Sequence, residues 1–214
     1  LNRIIIPARL EDTEFTEDKR KLLIRTLDLI PYSYKRITRV VTDSEAVASE
    51  VGLHSVSAAI TRHTPKCTSC DLRKQLWGLC ETLPVNYTIT ILFPNYPKRT
   101  WRDVLKIWAY WRKTKNIESL LCRKKPKTHP WNCIANLDSW NGADQLIGLL
   151  SGKKHDITRE EEYPSVWEIS HFVSMFTCKS IQSLNSKLYN DKTKFYPLEN
   201  KKGNNKLVEP YDWR

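Results

Sequence analysis

The sequence predicts an α+β fold, a single mixed domain with helices packed on a small antiparallel sheet. Three observations predict it. Of the 214 residues, 40% are hydrophobic and 10% aromatic, enough to build a core. Alternating and helical hydrophobic periods both occur along the chain. The two kinds of segment do not follow one another in a regular strand–helix succession. The expected domain covers 1–190, with 1–82 as an optional N-terminal subdomain, and a Lys/Asn-rich polar tail covers 191–214.

The elements follow in chain order. Ile4, Ile5 and Ile6 form a short apolar strand stopped by Pro7. Thr16 caps a helix over about 17–30, with Leu22, Leu23, Leu27 and Ile30 on one face and Pro31 beyond its end. Residues 35–42 read as a strand, and 44–62 as two short helices around Gly52. From Asn86 to Phe93 the chain alternates, with Tyr87, Ile89, Ile91 and Phe93 opposite Thr88 and Thr90. Thr100 opens a helix to about 115, with Asp103 at the capping-box position. An irregular connection covers 122–141, and a helix is expected near 142–150. Pro164 begins a last helix, with Val166, Ile169, Phe172, Val173 and Phe176 on one stripe, continuing toward Tyr189.

Composition excludes several functions. Only six glycines are present, and neither a Gly-x-Gly-x-x-Gly nor a Gly-x4-Gly-Lys-Ser/Thr run occurs. No apolar run approaches the roughly 18 residues a membrane span needs. No nucleophile elbow, zinc-protease motif or Ser/His/Asp constellation is legible, so a non-enzymatic role is favoured. No signal peptide is evident, and an intracellular location is expected.

The positive signal is charge. The chain carries a formal net charge of +11, and residues 98–127 hold 11 basic and 2 acidic side chains, a net +9. Lys98, Arg99, Arg102, Lys106, Arg112, Lys113, Lys115, Arg123, Lys124, Lys125 and Lys127 are the cations. On a helical wheel Trp101, Val104, Leu105 and Trp108 face the core, while Arg102, Lys106, Lys113 and Tyr110 lie opposite. Tyr110, Trp111 and Trp131 beside these charges offer stacking and cation–π surfaces. The block is therefore expected to bind nucleic acid through its phosphates, as part of an intracellular or viral ribonucleoprotein. A viral matrix-type protein meeting an anionic membrane is the alternative, and a metal-dependent nuclease the second alternative.

Two further patterns raise expectations. His63, Cys67, Cys70 and Cys80 have the residue types for one structural zinc, with a Cys-x2-Cys knuckle at its centre; buried free thiols are the other reading. Residues 43–60 have helix-turn-helix character around Gly52, with Ser55 capping the second helix, although an ordinary helical hairpin suits their neutral charge better.

Overall fold

Three strand–helix units in succession define the architecture of this computed structural model, which describes residues 2–10, 14–60, 72–130, 134–136, 144–146 and 165–198. Strand β1 (Asn2–Pro7) leads through α1 (Glu17–Leu29) and the single turn α2 (Tyr32–Lys35) to β2 (Thr38–Thr42). Helix α3 (Glu45–Gly52) joins β2 to β3 (Ser57–Ile60), and α4 (Leu72–Glu81) precedes β4 (Thr88–Ile91). Then come α5 (Trp101–Lys113), β5 (Ser119–Lys124), the short β6 (Ile134–Asn136) and β7 (Asp144–Leu146), β8 (Glu168–Thr177), a 3-10 turn (Cys178–Ser183) and β9 (Thr193–Pro197).

Seven of these strands make one mixed sheet, in the order β3-β2-β1-β4-β8-β5-β9. β1 pairs parallel with β2 on one side and with β4 on the other, Ile4 lying beside Thr38 and Thr90. β2 pairs parallel with β3, and β4 pairs antiparallel with β8, Ile89 opposite Phe176. The expected small antiparallel sheet is thus corrected to a seven-stranded, mostly parallel-edged mixed sheet with helices on both faces.

Crossover handedness explains the two faces. Right-handed connections from β1 to β2 to β3 put α1 and α3 on one face, and reversing direction from β3 to β4 puts α4 on the other. The burial follows this. Ile4, Ile6 and Val40 pack with Leu23 and Leu27 of α1, Val47 and Val51 of α3, and Val104, Ile107 and Trp108 of α5. Ile5, Val41, Ile89, Ile91 and Phe176 pack with Leu76 and Cys80 of α4 and with Ile181 of the 3-10 turn.

The helix ends behave as their sequences dictate. Thr16 accepts the Lys19 N–H, and Thr100 forms a full capping box with Asp103. On α5 Trp108 is buried and donates its indole N–H to Thr90 Oγ1 at 3.0 Å, whereas Leu105, expected inside, is 39% exposed. Ile107 takes its place in the core.

Five expected elements are corrected. The second helix of the 43–60 segment is β3, and Ser55, its expected cap, sits in the left-handed region at φ 58°. Part of the 122–141 connection is β5, and part of the expected 142–150 helix is β7. The apolar stripe from Ile169 to Phe176 lies in strand β8 rather than a helix, and Val166 precedes the strand. Residues 193–197, expected in a polar tail, form β9, tied down where Glu118 accepts from Lys192 Nζ at 2.7 Å and from Asn190 Nδ2 at 2.8 Å.

The chain divides into two compact units, Leu1–Cys122 with Ser170–Arg214, and Arg123–Ile169. Within the second, β6 and β7 pair antiparallel with Ile134 opposite Leu146. Arg123 lies over the Trp167 ring at 4.3 Å, and Lys124 pairs with Glu168 at 3.3 Å.

Candidate functional site

In an open sheet of this kind a crevice forms outside the carboxyl ends of the parallel strands, where successive connections leave in opposite directions. Here that point lies between β1 and β4. The chain reaches it through the β1–α1 loop, the β2–α3 turn and the β4–α5 loop.

The β1 pairing runs past the strand's end, Ala8 N–H donating to Val41 O at 2.9 Å. This places Arg9 and Leu10 beside the residue that follows β2, Asp43. One Asp43 oxygen accepts the Leu10 N–H at 2.8 Å, and the other lies 3.8 Å from Arg9 Nε. Side chains of both charged residues are largely enclosed, 17% and 16% exposed. Asp43 is held in turn by a rigid turn. Ser44 donates its N–H to Thr42 Oγ1 and accepts from Val47 as the cap of α3. Helices α1 and α3, which carry these loops, are clamped together by Arg20, whose guanidinium meets both oxygens of Glu50 at 2.9 and 3.2 Å. The Arg20 bond holds the Glu50 carboxyl below the usual carboxylate range.

The β4–α5 loop is built around a buried cation. Arg99 is 5% exposed and donates to Phe172 O at 2.7 Å and to Phe93 O at 2.9 Å. Its guanidinium also lies 5.9 Å from the Tyr96 and Phe172 rings. Burial pushes its pKa down to about 10, so it stays cationic at neutral pH. The fork fastens the loop to the middle of β8. Within the loop Asn95 Oδ1 is sealed from solvent and has no hydrogen-bond partner among the described residues.

His171, on β8 beside this loop, packs edge-on against Phe93 at 5.5 Å, with Nδ1 3.0 Å from Ser174 Oγ. Burial, and then the nearby Lys187 charge, lowers its pKa from 6.5. The neutral form therefore belongs to the folded state. The stabilisation it reflects is complete above pH 6.5 and is lost as pH falls through the lowered folded value. Thermal midpoints of the wild type should fall with acidification below pH 6.5, and His171→Gln should flatten that part of the profile. An unchanged profile in the variant would assign the acid sensitivity elsewhere.

The sequence-expected phosphate ligands are not all placed alike. Lys98, Arg102, Lys106, Arg112, Lys113 and Lys115 are exposed. Arg99 and Lys124 are corrected: both are buried, the first on backbone carbonyls and the second against Glu168. Tyr110 packs against Tyr196, Trp111 lies on the core, and Arg123 is spent on Trp167. Lys125 and Lys127 are exposed in the second unit, and Trp131 lies outside the described residues. Of the expected zinc ligands, His63, Cys67 and Cys70 lie outside the described residues. Cys80 is a buried free thiol beside Cys178, its pKa raised by burial. No group of three metal-ligating side chains occurs among the described residues.

Arg9 and Asp43 were missed by sequence reasoning. The signal available was local: an apolar strand followed by Pro-Ala-Arg and a capped helix, then a second strand followed by Asp-Ser and another capped helix.

No protein-family model matches the chain, and no curated protein matches it. Solved structures do. A CMP:2-keto-3-deoxy-manno-octonic acid synthetase complexed with CTP aligns at TM-score 0.55 and 13% identity, over 92% of this chain and 90% of that one. A 4-diphosphocytidyl-2C-methyl-D-erythritol synthase from Anaerococcus prevotii aligns at TM-score 0.58 and 13% identity, over 92% and 86%. A cytidylyltransferase from Leptospira borgpetersenii aligns at TM-score 0.54 and 15% identity, over 94% and 77%. The expected non-enzymatic ribonucleoprotein or viral matrix role is overturned by this likeness, because the proteins sharing the architecture are nucleotide-transferring enzymes. At these identities the likeness shows the fold: this chain has the nucleotidyltransferase-like α/β fold of the cytidylyltransferases.

Proposed function

We propose that the chain is a nucleotidyltransferase that takes a nucleoside triphosphate, CTP by likeness to the structures above, and transfers its nucleotidyl group to a small hydroxylated anionic acceptor. The observation that carries this is the Arg9–Asp43 pair at the carboxyl ends of β1 and β2, on the strand that borders the switch point between β1 and β4. An enclosed guanidinium at the carboxyl edge of such a sheet is a ready phosphate ligand, and the Asp43 bonds fix the loop that presents it. In the reaction an acceptor oxygen attacks the α-phosphorus, a P–O bond forms, and the bond to pyrophosphate breaks. Arg9 would neutralise charge on the transferring or leaving phosphates, and positioning plus electrostatics would supply the rate.

The fit of magnesium is limited on the described side of the site. Its single described carboxylate there, Asp43, is engaged by Arg9 and Leu10, so the ion would ride chiefly on the triphosphate oxygens.

Pyrophosphate release from CTP, with Mg2+ and a panel of sugar acids and polyol phosphates, tests the reading. Product formation with one acceptor is expected, and Arg9→Ala should lower kcat/KM by about a hundredfold, about 2.7 kcal/mol of transition-state stabilisation. Failure to bind or consume any of the four common nucleoside triphosphates would overturn it.

A further inference from the structure

The outward face of α5 carries charge that the proposed site does not use. Arg102, Lys106, Arg112 and Lys113 are exposed along this 13-residue helix, with Lys98 before it and Lys115 after it. None of the six makes an ion pair or hydrogen bond through its side chain among the described residues. The one carboxylate on the helix, Asp103, is occupied by its cap, accepting from Thr100 N and Oγ1 at 3.0 and 2.6 Å. Leu105, one turn after Arg102, flanks this row and is 39% exposed. The opposite face is fixed to the sheet by Val104, Ile107 and Trp108, so the ridge is rigid rather than a flexible arm.

We propose that this ridge docks the protein peripherally on an anionic lipid bilayer. The argument is charge complementarity with shape. A helix lying flat presents its cations in one row to a plane of lipid phosphates, and the flanking Leu105 can enter the headgroup boundary. Single-stranded nucleic acid fits the same surface less well. Among the described residues the rings of α5 are turned inward: Trp108 is bonded to Thr90, Trp101 packs on Tyr34 and Trp108, Tyr110 packs on Tyr196, and Trp111 lies against the core. Docking through α5 is independent of the chemistry at the β1–β4 crevice.

Cosedimentation of the full chain with vesicles tests it, using phosphatidylcholine alone and phosphatidylcholine mixed with phosphatidylglycerol. Binding is expected only to the mixed vesicles at low salt, and release as the Debye length shrinks toward about 3 Å near 1 M salt. Each cation close to such a surface contributes about fivefold in affinity, so R102S/K106S should bind about 25-fold more weakly. The control K179S/K187S removes the same charge from exposed positions in and after the 3-10 turn, which packs on the α4 side of the sheet, and should bind as wild type. Circular dichroism confirms that each variant is folded. No sedimentation of folded wild type with the anionic vesicles overturns the proposal. So does equal weakening by the control, which would make net charge the cause, or preferential binding of single-stranded RNA that R102S/K106S abolishes.

Discussion

Replacing Asp43 with Ala will leave a folded protein whose nucleotide affinity and kcat/KM have both fallen by about a hundredfold or more. The carboxylate makes two connections at once. It accepts the Leu10 N–H at 2.8 Å and sits 3.8 Å from Arg9 Nε, so its removal frees both the backbone of the β1–α1 loop and the cation that loop presents. An Arg held by a carboxylate meets a phosphate with its rotamer already chosen, whereas a released one must be ordered on binding. The stability cost is smaller, about 1–3 kcal/mol for a part-buried N–H left without its acceptor. Titration with CTP separates the two effects: the variant melts close to wild type and binds far more weakly. Wild-type CTP affinity in the variant would remove Asp43 from the account.

Phe176→Ala is expected to have the largest effect on stability. Phe176 is 0% exposed and lies opposite Ile89 in the antiparallel β4–β8 pair. It packs in the second core with Ile5, Ile91, Leu76 and Ile181. Truncation removes the ring's burial and leaves a cavity beneath α4 and the 3-10 turn, a loss of about 3–5 kcal/mol. That is a large share of the roughly 5–15 kcal/mol that holds a domain folded. Urea unfolding should show the midpoint moving down with little change in slope. A loss below about 1 kcal/mol would mean that the site collapses to fill the space, and that this face of the sheet is looser than its burial indicates.

How far the fold could be read from sequence depended on whether an element carried its own local signal. Helices α1 and α5 were legible because Thr16 and Thr100 cap them and their apolar residues recur at helical spacing. Strand β4 was legible through its alternation. Strand β8 was not. Its residues from Phe172 to Phe176, Ser174 included, are buried on both sides of the sheet, so its apolar residues do not alternate with exposed polar ones. Val166, Ile169, Phe172, Val173 and Phe176 then fall at helical spacing by coincidence. Strand β3 is four residues long, Ser57–Ile60, and its Ala58-Ala59 centre reads as helix. Losing β3 hid the second strand–helix–strand unit, and with it the parallel half of the sheet.

The site was hidden for a related reason. Leu10 and Asp43 are 33 residues apart, and only the parallel pairing of β1 with β2 brings them together. Charge, by contrast, was legible without topology, but its roles were not. Arg99 and Lys124 belong to the same basic run as Lys106 and Lys113, yet the fold turns the first two inward and leaves the others in solvent. A count of cations cannot distinguish a guanidinium holding Phe93 O and Phe172 O from a lysine on an exposed ridge.

Hydrogen exchange of the full chain with and without CTP and Mg2+ tests the central claim most directly, because it reports where the nucleotide sits independently of any acceptor. Protection is expected in peptides covering 8–10, 43–44 and 92–99, the three segments that follow the carboxyl ends of β1, β2 and β4. Asp43→Ala should abolish it. Saturable CTP binding with protection confined to other segments, such as α5 or the 3-10 turn, or no binding at all, would contradict the account.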